Sequence, residues 1–594
     1  MSIFRDLGWF FKQEKRSYLF GVLALLLLAL LNLFTPYAVR VVVDKMAAHR
    51  LTVHDLIFWT ALSLGVAAVK YGLGFLWRIL LFGASNCLGM LLRNRLYEHF
   101  TNMSPSFFHQ RRTGDLMAHA TNDIQAIVVT AGDGVLTLAD SIITGGTVIL
   151  TMAFFIDWKL TLIALIPMPF MALLTNKYGN WMHKRFHLAQ AAFSETNDKV
   201  QENIAGVRVV KAFGQEEQEI EEFRNLMDDV VKKNIDVAKI DALFDPTILL
   251  VVGVSFLLTV GYGSYGILNG TLTIGSLTQF TIYLGQLIWP MLAFGWLFNI
   301  VERGRASYDR VSALLNVRAD IEEKENAVDR VPSGQIEYRV ASFCYPETST
   351  PALKDIFVRI ESGKTLGIVG KTGSGKSTML RLLLREFDVQ AGEIIIGGIP
   401  VRDYRLNRLH QSIGYVPQDH MLFSATVAQN IAFGKPDASR EEIERVARIA
   451  CIHEEIQQFE HGYETMVGER GVTLSGGQKQ RISIARALLI DPEILILDDA
   501  LSAVDAKTEH HILEGLRENR RQKTTLISAH RLSAVEHADF IIVLQEGRIV
   551  QEGTHETLMR QEGWYREMVE RQKLEAMVLE GGDAVGDEKT SRLS

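Results

Sequence analysis

The sequence predicts a chain in two parts: an α-helical membrane domain of six spans, then an α/β domain carrying a phosphate-binding loop. Three observations predict it. No Asp, Glu, Lys, Arg or His occurs from Pro246 to Val301, a stretch too long for one bilayer crossing. From about Arg318 onward, charges become dense and periodic. The apolar run TLGIVG (Thr365–Gly370) leads directly into GKTGSGKST (Gly370–Thr378) and then into a helical pattern from Met379.

At 594 residues the chain exceeds what a single core organises, and its 48% hydrophobic share averages two unlike halves. The net charge of −7 offers no basic stripe, so no nucleic-acid partner is expected. Cys87, Cys344 and Cys451 have neither metal-ligand nor disulfide-framework spacing. Cys344 and Cys451 read as small buried hydrophobes in a half that faces a reducing compartment.

Phe4–Lys15 mixes Trp9, Phe10 and Phe11 with charges, the pattern of a short helix in the membrane interface. Tyr18–Val39 is the first span; it is too long for a signal-peptide core and lacks a small-residue cleavage pattern. Leu56–Trp77, with Lys70 inside it, is the second, and Val135–Ile156, with Asp140 inside it, the third. Leu160–Asn176 is the fourth, after the charged turn Asp157–Lys159. GYGSYG (Gly261–Gly266) and Asn269–Thr271 divide the uncharged stretch into a fifth span near Ile248–Tyr262 and a sixth near Leu277–Asn299.

The links over 82–134 and 177–245 are long and rich in Arg and Lys; this, with a phosphate-loop domain that must see cytosolic ATP, places them and both termini in the cytoplasm. Leu188–Asn203 and Glu216–Lys233 keep a helical period, so the spans continue beyond the bilayer. Breaks at Ser104–His109, Arg112–Asp115 and Ala205–Arg208 mark short crosswise segments able to touch the second domain. The predicted domains are a membrane domain over 1–316, a polar linker over 317–333, an α/β domain over 334–575 and a mobile tail over 576–594.

Gly370, Gly373 and Gly375 let the backbone turn tightly so that successive N–H groups face phosphate oxygens; Lys371, Thr372, Ser374 and Thr378 complete the loop. Lys376 should reach the β- and γ-phosphates of a nucleotide, and the Ser377 hydroxyl should hold Mg²⁺ at the start of a helix. A second buried strand, Ile494–Leu497, ends in Asp498, a further Mg²⁺ ligand. Asp499 then stands where a base must orient or deprotonate the attacking water. Aspartate is one methylene shorter than glutamate, and a misplacement of about 1 Å can cost on the order of 100-fold in rate. Slow hydrolysis is therefore expected at this site, unless the backbone restores the reach.

With LSGGQ (Leu474–Gln478) between the phosphate loop and the Asp498 strand, and six spans with two long cytoplasmic links ahead, the chain resembles an ATP-binding cassette (ABC) half-transporter of the exporter type. RTGDLMAHATND (Arg112–Asp123), FDPT (Phe244–Thr247), IWPMLAFGW (Ile288–Trp296), NIVERG (Asn299–Gly304) and DDALSAVD (Asp498–Asp505) are similar to the bacterial multidrug-resistance-like half-transporters that pair as heterodimers. The resemblance implies a type IV exporter membrane fold followed by a P-loop ABC nucleotide-binding domain, with ATP and Mg²⁺ as cofactors. It implies that Tyr345 stacks on adenine, Gln418 senses Mg²⁺ and the γ-phosphate, and His530 is the switch histidine. It further implies that Ser475, Gly476 and Gly477, with Leu474 and Gln478, clamp ATP held by a partner chain, and that Asp505 touches the facing site. Glu469 and Arg470 are matched to the contact that reports nucleotide state to the membrane helices, and Ser104–Arg111 and Val207–Gly214 to the two coupling helices.

The implied setting is the bacterial inner (plasma) membrane, the partner a second half-transporter, and the cargo amphipathic drugs or lipids drawn from the membrane. Lys70 and Asp140 are candidate pathway residues, because a charge in the bilayer usually faces a cavity or a partner; Arg78 can snorkel. Phe34, Tyr37, Trp289, Phe294, Trp296 and Phe298 read either as an apolar cargo surface or as interface anchors. Two alternatives stay open from sequence: import of a chelated nutrient, and an ATP-gated regulatory membrane protein.

Overall fold

A computed structural model describes residues 2–346, 348–468 and 474–575. Glu469, Arg470, the tail over 576–594 and the side chain of Phe294 lie outside the described residues. The chain forms two compact units, Met1–Thr101 with Thr113–Val317, and Asn102–Arg112 with Arg318 onward.

In the first unit, six helical stretches are long and apolar enough to cross a membrane: Lys15–Ala47, Val53–Thr101, Thr113–Phe155, Trp158–Ala205, Glu216–Leu268 and Ile274–Leu315. Ahead of them, short helices Ser2–Asp6 and Gly8–Gln13 bury Ile3, Leu7 and Phe10, so the aromatic N-terminal segment is packed as well as amphipathic. The fourth stretch is not one helix: Trp158–Leu165 stops before Pro167, and Met168–Ala205 starts afresh after it, because proline cannot donate the backbone bond that would continue the first.

Gly261–Gly266 does not break the fifth span. Phe244–Leu268 runs through all three glycines as a single helix, and the turn comes at Asn269 and Gly270, the latter at φ +72°. The glycines serve close packing: a Cβ on Gly263 would lie 2.4 Å from Leu277, and one on Gly266 2.7 Å from Leu272. The third and sixth stretches approach still more closely. A Cβ on Gly304 would lie 1.9 Å from the Thr130 hydroxyl, which donates to Ala126 and to the Ile300 carbonyl at 3.0 Å.

Below that crossing, Asp123 is buried at the end of a π-helical turn, His119–Asp123. Its carboxylate accepts from Nε and Nη2 of Arg310, from Ser307 at 2.9 Å, and faces His119 Nδ1 at 2.7 Å. A buried carboxylate needs such a full set of donors. A second π-helical turn, Thr130–Gly134, follows, and the Tyr18 hydroxyl donates to its Ala131 carbonyl at 3.0 Å.

The two helix breaks in the long links are built differently. Ser104 is extended and Pro105 opens the helix Pro105–His109, which belongs to the second unit; there Ser104 and Ser106 both hydrogen-bond Asp320. Val207–Phe213 is ended by Gly214 at φ +60°, and its Val209 and Phe213 side chains are exposed.

The second unit contains two sheets. A four-stranded antiparallel sheet has the order β2-β1-β4-β5, from β1 (Ile336–Phe343), β2 (Leu353–Ile360), β4 (Ala391–Ile396) and β5 (Ile399–Pro400). The other has the order β10-β9-β3-β8-β7-β6, from β3 (Thr365–Gly370), β6 (Ile413–Val416), β7 (Ile494–Asp498), β8 (Thr524–Ser528), β9 (Phe540–Gln545) and β10 (Arg548–Gly553). Within it β9, β3, β8, β7 and β6 are parallel, and every residue of β7 and β8 is buried, as expected for strands covered on both faces. Cys344 and Cys451 are half-buried, not buried as their type predicts.

Gly304→Ala forces a methyl group into the Thr130 contact. Overpacking of this kind costs about 1–3 kcal/mol, so the detergent-solubilised protein is expected to unfold at a lower temperature, and Thr130→Ala in the same chain to restore part of the loss.

Candidate active site

Parallel pairing brings the carboxyl ends of β3, β8 and β7 side by side. Asp498 pairs with Ser528, the Asp499 N–H donates to Ser528 at 2.9 Å, and the Ala529 N–H donates to Ile368 at 3.2 Å. Ligand sites in open parallel sheets form at this edge. The loop after β3 needs glycine at two points above all. Gly370 has φ +147°, and a Cβ there would lie 2.2 Å from the Leu544 carbonyl; Gly375 has φ +104°, with the Ala352 carbonyl at 3.0 Å.

The helix Lys376–Leu383 starts directly behind the loop. Lys376 is buried and arches over it, its amine donating to Gly370 at 2.9 Å and to Lys371 at 3.1 Å. Burial lowers the Lys376 pKa, against the opposing pull of Asp499 and Asp498. Lys371, Thr372 and Gly373 are exposed. Ser374 is buried, and its hydroxyl has no hydrogen-bond partner among the described residues. Buried Thr378 meets the Tyr345 hydroxyl at 2.9 Å, and the Tyr345 ring packs edge-on against Phe343 and Phe387.

Ser377 donates to Asp498 at 3.0 Å. Burial raises the Asp498 carboxyl, and the bond from Ser377 and the charge of Arg381 hold it down. A hydroxyl and a buried carboxylate at this distance make an oxygen pair of the kind hard divalent cations take. Together with the orphaned Ser374 hydroxyl and the glycine cradle, they fit a metal–nucleotide polyphosphate.

Asp499 has φ +52°, a conformation aspartate tolerates better than most residues. Its carbonyl accepts from Gln480 at 3.3 Å and from Ser502 at 3.0 Å, and Gln480 in turn accepts from the Ala503 N–H at 3.0 Å. Gln480 is fully buried on the helix Gly476–Leu489. That helix is opened by Ser475 in a reciprocal cap with Gln478, and Gln478 also donates to Glu455 at 3.0 Å. Gly477 is required, since a Cβ there would lie 2.9 Å from the Ala503 carbonyl. Leu474 is half-buried against the domain core.

Asp505 caps the helix Ala506–Asn519 by accepting from Thr508 at 3.0 Å, and that bond lowers its carboxyl pKa. Gln418, after β6, and His530, after β8, are exposed at the same sheet edge. In the membrane unit Asp140 accepts from Thr144 at 2.8 Å, one turn along its helix, and Lys70 is half-buried.

Sequence reasoning missed three side chains that hold this edge together: Gln480, on Asp499 and Ala503; Glu509, which accepts from Ser533; and Gln572, which bonds His530 and Leu532. Glutamines carry no periodic signal, and Glu509 reads as an ordinary acid in a first helical turn.

Comparison with known proteins agrees with this architecture. The family described as ABC transporter transmembrane region matches residues 18–291, and the family described as ABC transporter matches 353–502. The multidrug resistance-like ATP-binding protein MdlA of Escherichia coli (strain K12) is 48% identical, over 97% of this chain and 98% of its own. A Bacillus subtilis (strain 168) protein named "Probable multidrug resistance ABC transporter ATP-binding/permease protein YheI" is 46% identical, over 96% of this chain and 98% of its own. The structure of a bacterial Atm1-family ABC exporter with ATP bound superimposes with a TM-score of 0.79 at 27% identity, over 94% of this chain and 99% of that one.

Fold and site thus define an ATPase coupled to transport across a membrane. The chain belongs to the ABC exporters, as a half-transporter whose transmembrane and ATP-binding domains are fused, homologous to the multidrug resistance-like proteins MdlA and YheI.

The buried Asp498 carries a testable pH signature. Its folded pKa is raised above the unfolded one, so stability falls as pH rises between the two, and the penalty is complete above the folded value. Asp498→Asn removes it. Without nucleotide, this variant is expected to unfold at a higher temperature than the parent at pH 7, while losing ATP turnover. An equal or lower unfolding temperature contradicts the assignment of a desolvated charge.

Proposed function

We propose that this chain is one half of a heterodimeric exporter of amphipathic drugs or lipids in a bacterial inner membrane. Both termini and the ATP-binding domain are cytoplasmic. The observation that carries the pairing is Asp499, an aspartate where an attacking water needs the longer reach of glutamate. Two ATPs lie between the two chains, each held by one chain's phosphate loop and the other's LSGGQ. This chain supplies the slow loop and an intact Leu474–Gln478 segment for a partner with a glutamate base.

In its own site the residues of Gly370–Thr378 bind the phosphates through backbone N–H groups, and Lys376 adds charge toward the β- and γ-phosphates. Ser377, Asp498 and Gln418 would hold Mg²⁺, which would supply positive charge to neutralise the phosphate oxygens. Tyr345 stacks on adenine and His530 contacts the γ-phosphate. Ser475, Gly476 and Gly477 present a helix N-terminus to the partner's ATP, and Asp505 positions the turn that faces it. Closure of the two ATP-binding domains opens the membrane helices outward, and hydrolysis, mainly at the partner's base, resets them.

One observation favours a second reading. At φ +52° aspartate is better accommodated than glutamate, so Asp499 fits this turn for a backbone reason, and two equal, slow sites in a homodimer follow.

Capture of the chain from its host's membranes in mild detergent, with mass spectrometry of what accompanies it, separates the two. A distinct half-transporter with Glu after its own strand-end Asp supports the heterodimer; this chain alone, active as an ATPase, overturns it. Asp499→Glu is expected to raise turnover at this chain's site by about 10-fold or more; no gain refutes the short-reach argument. Replacing Lys70 and Asp140 together with neutral residues is expected to reduce cargo transport, and unchanged transport removes them from the pathway.

A further inference from the structure

We infer that Gln572 is a positioning residue for the loop that carries His530, and that it sets how well this chain's ATP site distinguishes ATP from ADP. The inference rests on His530 being the switch histidine.

The loop has little packing of its own at the point that matters. β8 ends at Ser528, the Ala529 N–H closes the ladder on Ile368, and the chain then leaves the sheet. His530 is exposed, while Leu532 and Ala534, in the short 3₁₀ turn that follows, are buried. An exposed side chain is placed only as well as its backbone is held.

Among the described residues, that backbone is held by one side-chain amide. Gln572 Nε2 donates to the His530 carbonyl at 3.0 Å, and its Oε1 accepts from the Leu532 N–H at 3.0 Å. The amide therefore bridges the carbonyl and N–H on either side of Arg531, as a neighbouring strand would. Only glutamine has a donor and an acceptor together at that reach: glutamate lacks the donor, and asparagine is one methylene shorter.

The clamp has a firm seat. Its helix, over 564–575, is pinned by fully buried Tyr565, whose N–H donates to Gln551 at 3.1 Å and whose hydroxyl meets His555 Nδ1 at 2.8 Å. Val569 is buried in the same core, with Trp564 and Met568 packed against it.

The far side of the loop is held through side chains. Buried Glu509 accepts from Ser533 at 2.7 Å and pairs with Arg531 at 3.5 Å, and Arg531 donates to the Val504 carbonyl at 2.9 Å, next to Asp505. These contacts fix the residues after His530. Gln572 alone of the two acts on the His530 peptide group.

The test uses the assembled transporter, with photoreactive ATP and ADP analogues read out on this chain separately. Losing this clamp costs about as much as one hydrogen bond, so Gln572→Ala is expected to weaken ATP binding about fivefold and to leave ADP within about twofold. The unfolding temperature is expected to stay unchanged. Gln572→Glu keeps the side-chain length and the acceptor for Leu532 but removes the donor to His530, and is expected to show the same selective loss. His530→Ala serves as the reference for a lost γ-phosphate contact. Loss of ATP preference in His530→Ala but in neither Gln572 variant overturns the clamp. So does a parent-like Gln572→Glu beside a Gln572→Ala that loses both nucleotides and stability, since the helix then acts only by packing. A His530→Ala variant that binds ATP normally removes the switch-histidine reading, and the inference with it.

Discussion

The ATP-binding unit depends on the parallel pairing of β3, β8 and β7. Parallel strands open their carboxyl ends in one direction, and the register here sets the phosphate loop, Asp498–Asp499 and Ala529–His530 on one edge. Each contributes a different group: backbone N–H, carboxylate and imidazole. A one-residue slip between β7 and β8 would turn Asp498 to the opposite face of the sheet. Both strands are buried throughout, so the same residues that form the apolar core also carry the site at their ends.

Much of the fold was legible because membrane spans and phosphate loops are written locally. An uncharged run of residues or a GKTGSGKST segment needs no distant partner to be recognised. What escaped were features set by a neighbour. Gly261–Gly266 has the composition of a turn, yet Leu272 and Leu277 on the following chain segment make two of its glycines packing sites in a continuous helix. Pro167 lies within an apolar run that hydropathy reads as one span, and the backbone bond it cannot make is invisible to a hydropathy sum.

The site divides the same way. Residues tied to a contiguous motif, such as Lys376, Ser377 and Asp498, could be nominated from the sequence. Gln480 and Gln572 could not, because each acts on backbone groups far away in sequence: Asp499 and Ala503 for the first, His530 and Leu532 for the second. An amide that braces a loop has no reason to recur at a fixed spacing. Asp499 is an intermediate case. Its identity was legible, but its left-handed backbone, which gives aspartate a reason to be there apart from catalysis, was not.

The Asp123 cluster has a consequence for biogenesis. The carboxylate belongs to the third long helix, and Arg310, 187 residues later, belongs to the last. While the chain is being synthesised, the third helix emerges with an acidic group whose cation does not yet exist. Until the sixth helix arrives, that group must stay hydrated or protonated, so the third helix cannot settle into its final packing when it is made. Completion of the helical unit thus waits for its last segment, and a ribosome that stalls before Arg310 leaves Asp123 with His119 beside it but without Arg310 and Ser307.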